Sequence, residues 1–151
     1  MRSTPEQLAQ RQSWMSLLAK TPVSRLAAQW RNFGLEPKHV MLRAPEIGGV
    51  MVRGRAGAVG SAFNLGEITV TRCSLRLNCG TVGHGYVQGR DRDHARRAAL
   101  TDALMQTGAA ASVEAAILAP LRGERKERKA VRAAKAAATK VEFLTLARGE
   151  T

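Results

Sequence analysis

The apolar residues of this chain repeat with two different periods, and each period occupies its own part of the sequence. Helical spacing predicts one helix over residues 6–20 and a second that starts near Pro22 and stops before Gly34. Residues 39–88 are instead rich in β-branched side chains and glycine, and later stretches favour helix again. Because helices and strands are segregated in this way, the sequence indicates an α+β fold with an antiparallel sheet.

Two hairpins are predicted to build that sheet. The first pairs residues 39–43 with residues 50–55 across a turn at residues 45–49, which contain proline and two glycines. The second pairs residues 67–77 with residues 81–88 across a short turn that ends in glycine. A three-helix region and one more strand are expected to follow.

The second half of the chain supplies those elements. Helices are predicted over residues 91–106, with Asp91 or Asp93 as the cap, over residues 112–118, and over residues 124–139. The second of these is expected to stop at Pro120. An alternating segment at residues 141–147 predicts a C-terminal strand, which must pair with the sheet or with another chain. The whole chain is predicted to be a single domain.

The charge balance restricts the class of partner. The 151 residues contain 24 Lys and Arg against 12 Asp and Glu, a formal net charge of +12. Such a chain suits a polyanion, an acidic protein surface or a phosphate-bearing substrate. Residues 122–140 hold eight of the basic groups. That run is read either as a solvated helix face or as a docking helix for a more acidic subunit or for RNA, with Arg125, Arg128 and Arg132 as candidate contacts.

The cellular compartment is predicted from two kinds of apolar segment that the sequence lacks. It has no apolar run long enough to span a bilayer and no apolar segment of the signal-peptide kind, so we expect a cytoplasmic protein. Cys73 and Cys79 lack the spacing of a metal site, and we expect both thiols to be reduced and buried.

A glycine-rich stretch at residues 83–89 resembles a dinucleotide-binding loop only superficially. Its spacing, G-x-G-x-x-x-G, is one residue too long and its middle has the pattern of a strand, so dinucleotide binding is not predicted. Arg90 beside the following helix is a candidate phosphate contact. Asp91 and Asp93 are explained by capping of that helix end, where they would repel an anion.

The remaining candidates are scattered. Arg53 and Arg55 lie among glycines, a composition that contacts nucleic acid, phosphate or a partner protein. His84 and His94 are isolated, so a metal site is not supported by their spacing. Trp14 lies on an apolar helix face, which favours a core position over a docking position.

No motif for an autonomous active site emerges. The chain has no P-loop and no serine or cysteine in a nucleophile-elbow context. This absence indicates a binding subunit. Two alternatives stay open: a small basic nucleic-acid-binding protein, and a small phosphotransfer or hydrolytic enzyme that would use Asp91 and His94.

Several stretches resemble the PhnG family, a subunit of the bacterial carbon–phosphorus lyase machinery. They are residues 11–19 (RQSWMSLLA), residues 80–91 (GTVGHGYVQGRD) with the following His94, and residues 99–106 (ALTDALMQ). The similarity runs from about Arg11 to Gly149, nearly the whole chain.

The resemblance implies a hetero-oligomeric role in phosphonate catabolism. PhnG-like subunits assemble with PhnH, PhnI and PhnJ, with PhnK and PhnL as further ATPase-like partners. They support PhnI-dependent displacement of adenine from ATP by a phosphonate, which yields α-D-ribose 1-methylphosphonate 5-triphosphate. The resemblance places no catalytic residue, metal or cofactor on this chain. The resemblance implies that the partners bind ATP with magnesium, zinc, and S-adenosylmethionine with an iron–sulfur cluster. Neither a membrane nor a nucleic acid is expected as a partner of this chain.

Overall fold

A computed structural model describes residues 4–57 and 59–139. Its elements, in chain order, are α1 (Pro5–Lys20), α2 (Val23–Phe33), β1 (His39–Arg55), β2 (Ala62–Leu77), β3 (Val82–Gln88), α3 (Arg92–Leu104), α4 (Ala110–Val113), a π-helical turn (Glu114–Leu118) and α5 (Ala119–Ala138). The predicted α+β class, with a helix pair before an antiparallel sheet and helices after it, is confirmed. The predicted strand at residues 141–147 lies outside the described residues.

Local sequence signals set the ends of the first two helices. The Thr4 hydroxyl accepts a hydrogen bond from the backbone N–H of Gln7, whose side chain accepts one from the N–H of Thr4. This capping box satisfies two N–H groups that the helix itself leaves free. Helix α2 ends at Gly34, whose φ of 68° lies in the left-handed region. The predicted boundaries of both helices are therefore confirmed.

The sheet is a three-stranded antiparallel meander in the order β1-β2-β3. The predicted turn at residues 45–49 is wrong, because β1 runs through it as one strand of 17 residues. Pro45 is tolerated there since β1 is an edge strand and its register shifts between Arg43 and Glu46. The chain instead reverses after Arg55. The second hairpin is confirmed, with Gly80 at a φ of 88° in its turn.

Helix α3 packs unusually close to β3 because small residues face each other. A Cβ atom on Gly85 would overlap the carbonyl oxygen of Ala95, and one on Gly83 would lie 2.7 Å from the Cβ of Ala103. The two glycines of the G-x-G sequence are therefore strand residues that admit a helix. This contact explains a motif that superficially resembled a dinucleotide loop.

The helical region after α3 is more continuous than predicted. Helix α4, the π-helical turn and α5 follow one another without a break from Ala110 to Ala138. The predicted stop at Pro120 is wrong. In the π-helical turn the N–H of Ala119 binds the carbonyl of Glu114, one residue further back than in an α-helix. This wider turn gives the Pro120 ring room against the preceding turn.

The core lies between α3, the covered sheet face and the other helices. It is built from leucine, alanine and valine with two tryptophans, Trp14 and Trp30, as its large aromatic members. The interpretation of Trp14 as a core residue is confirmed by its 9% exposure. Within the described part of the chain, no helix combines the length and the apolar character needed to cross a bilayer.

Candidate functional site

A buried carboxylate connects the three elements that carry the family-like motifs. Asp102 of α3 is fully buried. Its Oδ1 accepts hydrogen bonds from Arg11 Nε at 3.0 Å and Trp14 Nε1 at 2.9 Å. Its Oδ2 accepts from Arg11 Nη2 at 2.7 Å and from the backbone N–H of His84 at 2.9 Å. Asp102 therefore ties α1 and β3 to α3.

Asp102 is a structural group, because both of its oxygens are already occupied by donors. A bidentate arginine with further N–H donors is the arrangement that lets a charged carboxylate stay buried. By binding the outward N–H of His84, Asp102 also covers part of the β3 edge, and Gln106 Nε2 does the same for the Val82 carbonyl at 3.0 Å. Sequence reasoning missed Asp102. The available signal was an aspartate on the buried stripe of a helix.

A second carboxylate joins α2 to α3. Glu36 accepts a hydrogen bond from Trp30 Nε1 at 3.1 Å and one from Arg96 Nη1 at 2.6 Å. The hydrogen bond from Arg96, assisted by the one from Trp30, lowers the pKa of Glu36. Both tryptophans thus have a hydrogen-bonded indole N–H, as amphipathic aromatic residues in a core require.

Asp91 and His94 form a helix cap. The Asp91 carboxylate accepts a hydrogen bond of 2.6 Å from the backbone N–H of His94, which confirms the predicted cap of α3. The His94 ring is 1% exposed, and neither ring nitrogen has a hydrogen-bond partner among the described residues. Burial lowers the pKa of His94. A ring so placed is poorly suited to exchange protons with a substrate. Arg90 is exposed in the turn before the cap.

One face of the sheet is open to solvent. His84 lies on it beside its cross-strand neighbour Ser74, with Nδ1 2.9 Å from the Ser74 hydroxyl oxygen. Two residues further along β3, on the same face, Tyr86 lies opposite Arg72 of β2. The Nε of Arg72 is 3.5 Å from the Oε2 of Glu46. Among the described residues no carboxylate hydrogen-bonds to the His84 ring, so the Ser74–His84 pair lacks the third group of a catalytic triad there.

The distal parts of β1 and β2 form an exposed arm, which we define as residues 46–57 and 62–68. No residue of the arm is buried. Arg53 and Arg55 lie on its first strand, and Arg55 Nη1 donates to the Gly60 carbonyl at 3.3 Å. The arm also carries exposed large apolar side chains: Ile47, Val50, Met51, Phe63, Leu65 and Ile68.

Among the described residues, helix α5 is buried against the rest of the fold near its start. Leu121 is buried, and Glu124 binds Arg25 of α2 with a shortest distance of 2.7 Å. The hydrogen bond from Arg25 lowers the pKa of Glu124. Residues 125–138 are exposed throughout, and these include the predicted contacts Arg125, Arg128 and Arg132. The structure thus separates the predicted site residues into three places: the region around α3, the arm and α5.

The cysteines and acidic residues offer no metal site in the part of the chain that the structure describes, where no group of three or more ligating side chains comes together. Both cysteines are free thiols, and Cys73 is buried as predicted. The prediction for Cys79 is wrong, because this residue is exposed in the hairpin turn between β2 and β3.

Two comparisons give this geometry a context. The family model described as "Phosphonate metabolism protein PhnG" matches residues 9–149. A protein of Rhizobium meliloti (strain 1021), named alpha-D-ribose 1-methylphosphonate 5-triphosphate synthase subunit PhnG, is 44% identical over 147 residues, which cover 95% of this chain and 92% of the relative. The matched region includes the Arg11–Trp14–Asp102 cluster and both strand glycines. The chain therefore belongs to the PhnG family of phosphonate metabolism proteins.

Proposed function

We propose that the chain is a non-catalytic, structural subunit of a ribose 1-methylphosphonate 5-triphosphate synthase within a carbon–phosphorus lyase complex. The observation that carries the proposal is the near full-length similarity to a relative named as a subunit of that synthase. Its partners in the proposal are PhnH, PhnI and PhnJ, with PhnK and PhnL as further candidates.

The distribution of exposed apolar residues supports a subunit role. The arm presents Phe63, Leu65 and Met51 with exposed fractions between 45% and 66%. Apolar side chains projecting together from a sheet are typical of a surface that another protein covers. Because β1 is also an edge strand, its free backbone groups offer further hydrogen bonds to a partner.

The chain's own polar groups support the non-catalytic part of the proposal. Its most buried carboxylate, Asp102, is fully engaged by Arg11, Trp14 and His84, and the His94 ring is enclosed. In the proposal, displacement of adenine from ATP by the phosphonate takes place on PhnI. The metals and cofactors of the complex, namely magnesium with ATP, zinc, and S-adenosylmethionine with an iron–sulfur cluster, belong to the partners. This chain holds the assembly in a competent arrangement.

Adenine release tests this division of labour. ATP and methylphosphonate are incubated with this chain alone, with the other subunits alone, and with the full set, and free adenine is measured. We expect adenine only from the full set. Turnover by the isolated chain, with its loss on changing Asp91→Asn or His94→Gln, would instead support the alternative of a small hydrolytic or phosphotransfer enzyme.

Nucleic-acid binding is the second candidate, favoured by the exposed basic residues of α5. It predicts that nucleic acid copurifies with the isolated chain and that affinity falls steeply with salt. The lack of aromatic side chains among residues 119–138 argues against stacking on bases. Absorbance of the purified chain at 260 and 280 nm distinguishes the two candidates.

A further inference from the structure

Helices α5 and α1 enclose an elongated groove, and every charged residue that the structure describes in its lining is basic. Two adjoining depressions of about 380 and 300 Å³ share Leu17, Arg125 and Lys129. Their basic lining residues come from one end of α1 and from one side of α5: Lys20, Arg122, Arg125, Lys126, Arg128, Lys129 and Arg132. Among the described residues, no carboxylate lines either depression. We call this feature the cationic groove.

The charges on α5 are divided between two sides of the helix. Glu124 and Glu127 line a different depression, toward α2, which also contains Arg128, Arg132 and Lys135. Arg125, Lys129 and Arg132 are spaced by four and three residues, which places them together on the side toward α1. Among the described residues these three have no ion-pair partner. The two carboxylates of α5 thus lie toward α2, whereas Arg125 and Lys129 line only the depressions toward α1.

The start of α5 is fixed before any partner arrives. Leu121 is 1% exposed, and the Arg25–Glu124 pair holds the helix against α2. Arg122 pairs with Glu114 of the π-helical turn. A groove that is formed in advance loses less conformational entropy on binding than a mobile charged tail would.

The chemistry of the groove favours an elongated polyanion with separate charges. Every basic residue named in its lining is exposed, so the groove lacks the buried, convergent donors that a free phosphate site requires. None of the described residues that line it is aromatic, so they offer no ring on which a base could stack. The span from Arg125 to Arg132 is about 10 Å along the helix axis. Carboxylates spaced along a protein segment match these exposed cations, and each ion pair contributes a small part of the binding free energy.

We infer that the cationic groove between α1 and α5 docks an acidic, carboxylate-rich segment of a partner subunit. This inference depends on the proposed function, since it names a second surface of the same assembly. The cationic groove differs from the arm in character, because the arm offers apolar contacts whereas the groove offers positive charge. Electrostatic complementarity of this kind accelerates and orients association.

Charge reversal in the groove tests the inference. The triple variant Arg125→Glu, Lys129→Glu, Arg132→Glu is expressed and its binding to the tagged partner subunits is measured over a range of salt concentrations. We expect at least about tenfold weaker binding at low salt, because three attractive contacts become repulsive. We also expect the steep salt dependence of the unaltered chain to disappear. Circular dichroism should be unchanged, since glutamate is a good helix former and the three side chains are exposed.

A matched control makes the same change of charge elsewhere. Arg31→Glu, Lys38→Glu and Arg92→Glu alter exposed residues outside the groove and the arm. The control should bind the partner subunits with an affinity within about twofold of that of the unaltered chain if the location of the charges matters more than net charge.

Three results would overturn the inference. If the groove variant binds as tightly as the unaltered chain, the groove is not a docking site, while the proposed function stands. If groove variant and control weaken equally, net charge and not the groove is responsible. If the unaltered chain forms no complex, the proposed function fails, and the inference fails with it.

Discussion

The indole N–H of Trp14 donates a hydrogen bond of 2.9 Å to the carboxylate of Asp102, 88 residues further along the chain. Arg11, one turn before Trp14 on α1, binds the same carboxylate through two nitrogens. This cluster fixes the N-terminal helix to the helix that follows the sheet. Since the same carboxylate also accepts from the His84 N–H, it fixes α1 relative to both α3 and β3.

Replacing Asp102 should destabilise the fold strongly. In Asp102→Asn the side chain loses its charge and presents an NH₂ group to at least one existing donor. We expect a loss of about 3 kcal/mol in the free energy of unfolding, because Arg11 and a buried N–H lose their acceptor. Asp93→Asn is the control, since Asp93 is 67% exposed and its pair with Arg96 is a surface contact. Urea denaturation should separate the two variants, and equal stability would refute the role given to Asp102.

Gly85→Ala should disrupt the contact between β3 and α3. The added Cβ would overlap the Ala95 carbonyl oxygen, so the helix must move away from the strand. We expect a loss of about 2 kcal/mol, typical of an overpacked core. Gly66→Ala on β2 has no atom within 4 Å of the new Cβ and should change stability by less than about 1 kcal/mol. A thermal unfolding series tests this pair, and an unperturbed Gly85→Ala variant would contradict the packing.

The buried His94 ring should make stability depend on pH. Burial lowers the pKa of His94 in the folded chain below its ordinary value of 6.5. The unfolded chain therefore binds the proton more readily, and stability falls as the pH drops below about 6.5 toward the folded pKa. The urea midpoint should decrease between pH 7.5 and pH 5.5. His94→Leu should flatten that dependence whereas His84→Gln, on the exposed face, should not.

Thiol labelling should distinguish the cysteines. Hydrogen bonding with the Thr81 side chain lowers the pKa of the exposed Cys79 thiol. Burial raises the pKa of Cys73 to about 11. Because the thiolate is the reactive form, iodoacetamide at pH 8 should modify Cys79 in the folded chain and Cys73 only after unfolding. Mass spectrometry of the intact chain and of Cys79→Ser provides the measurement. Rapid labelling of Cys73 in the native state would contradict its burial.

Patterns with a local cause were predictable from sequence. Gly34 and Gly80 adopt positive φ where the chain stops or turns, and Asp91 caps α3, because these effects depend on a few neighbouring residues. The prediction of a turn at Pro45 was wrong, because an edge strand with a bulge tolerates proline. Only the order of the strands in the sheet shows that β1 is such an edge strand. The prediction that the helix stops at Pro120 was wrong for a similar reason, because a π-helical turn precedes this residue and accommodates its ring.

The candidate site was less predictable, because its central contacts are long-range. Asp102 meets Arg11 and Trp14 only when α1 packs beside α3. His84 was identified as a candidate, but its backbone N–H makes the contact with Asp102 while its ring turns to Ser74. Charge, by contrast, could be read from sequence. The basic run did predict an exposed helix, although the division of its two sides needed the positions of α1 and α2.

The central claim is that this chain works as a subunit, and native mass spectrometry tests it most directly. The tagged chain is coexpressed with PhnH, PhnI and PhnJ from the same genome, purified by its tag, and weighed intact. We predict one stoichiometric hetero-oligomer that contains this chain. A well-behaved chain that purifies alone, or with nucleic acid in place of the three subunits, would contradict the account.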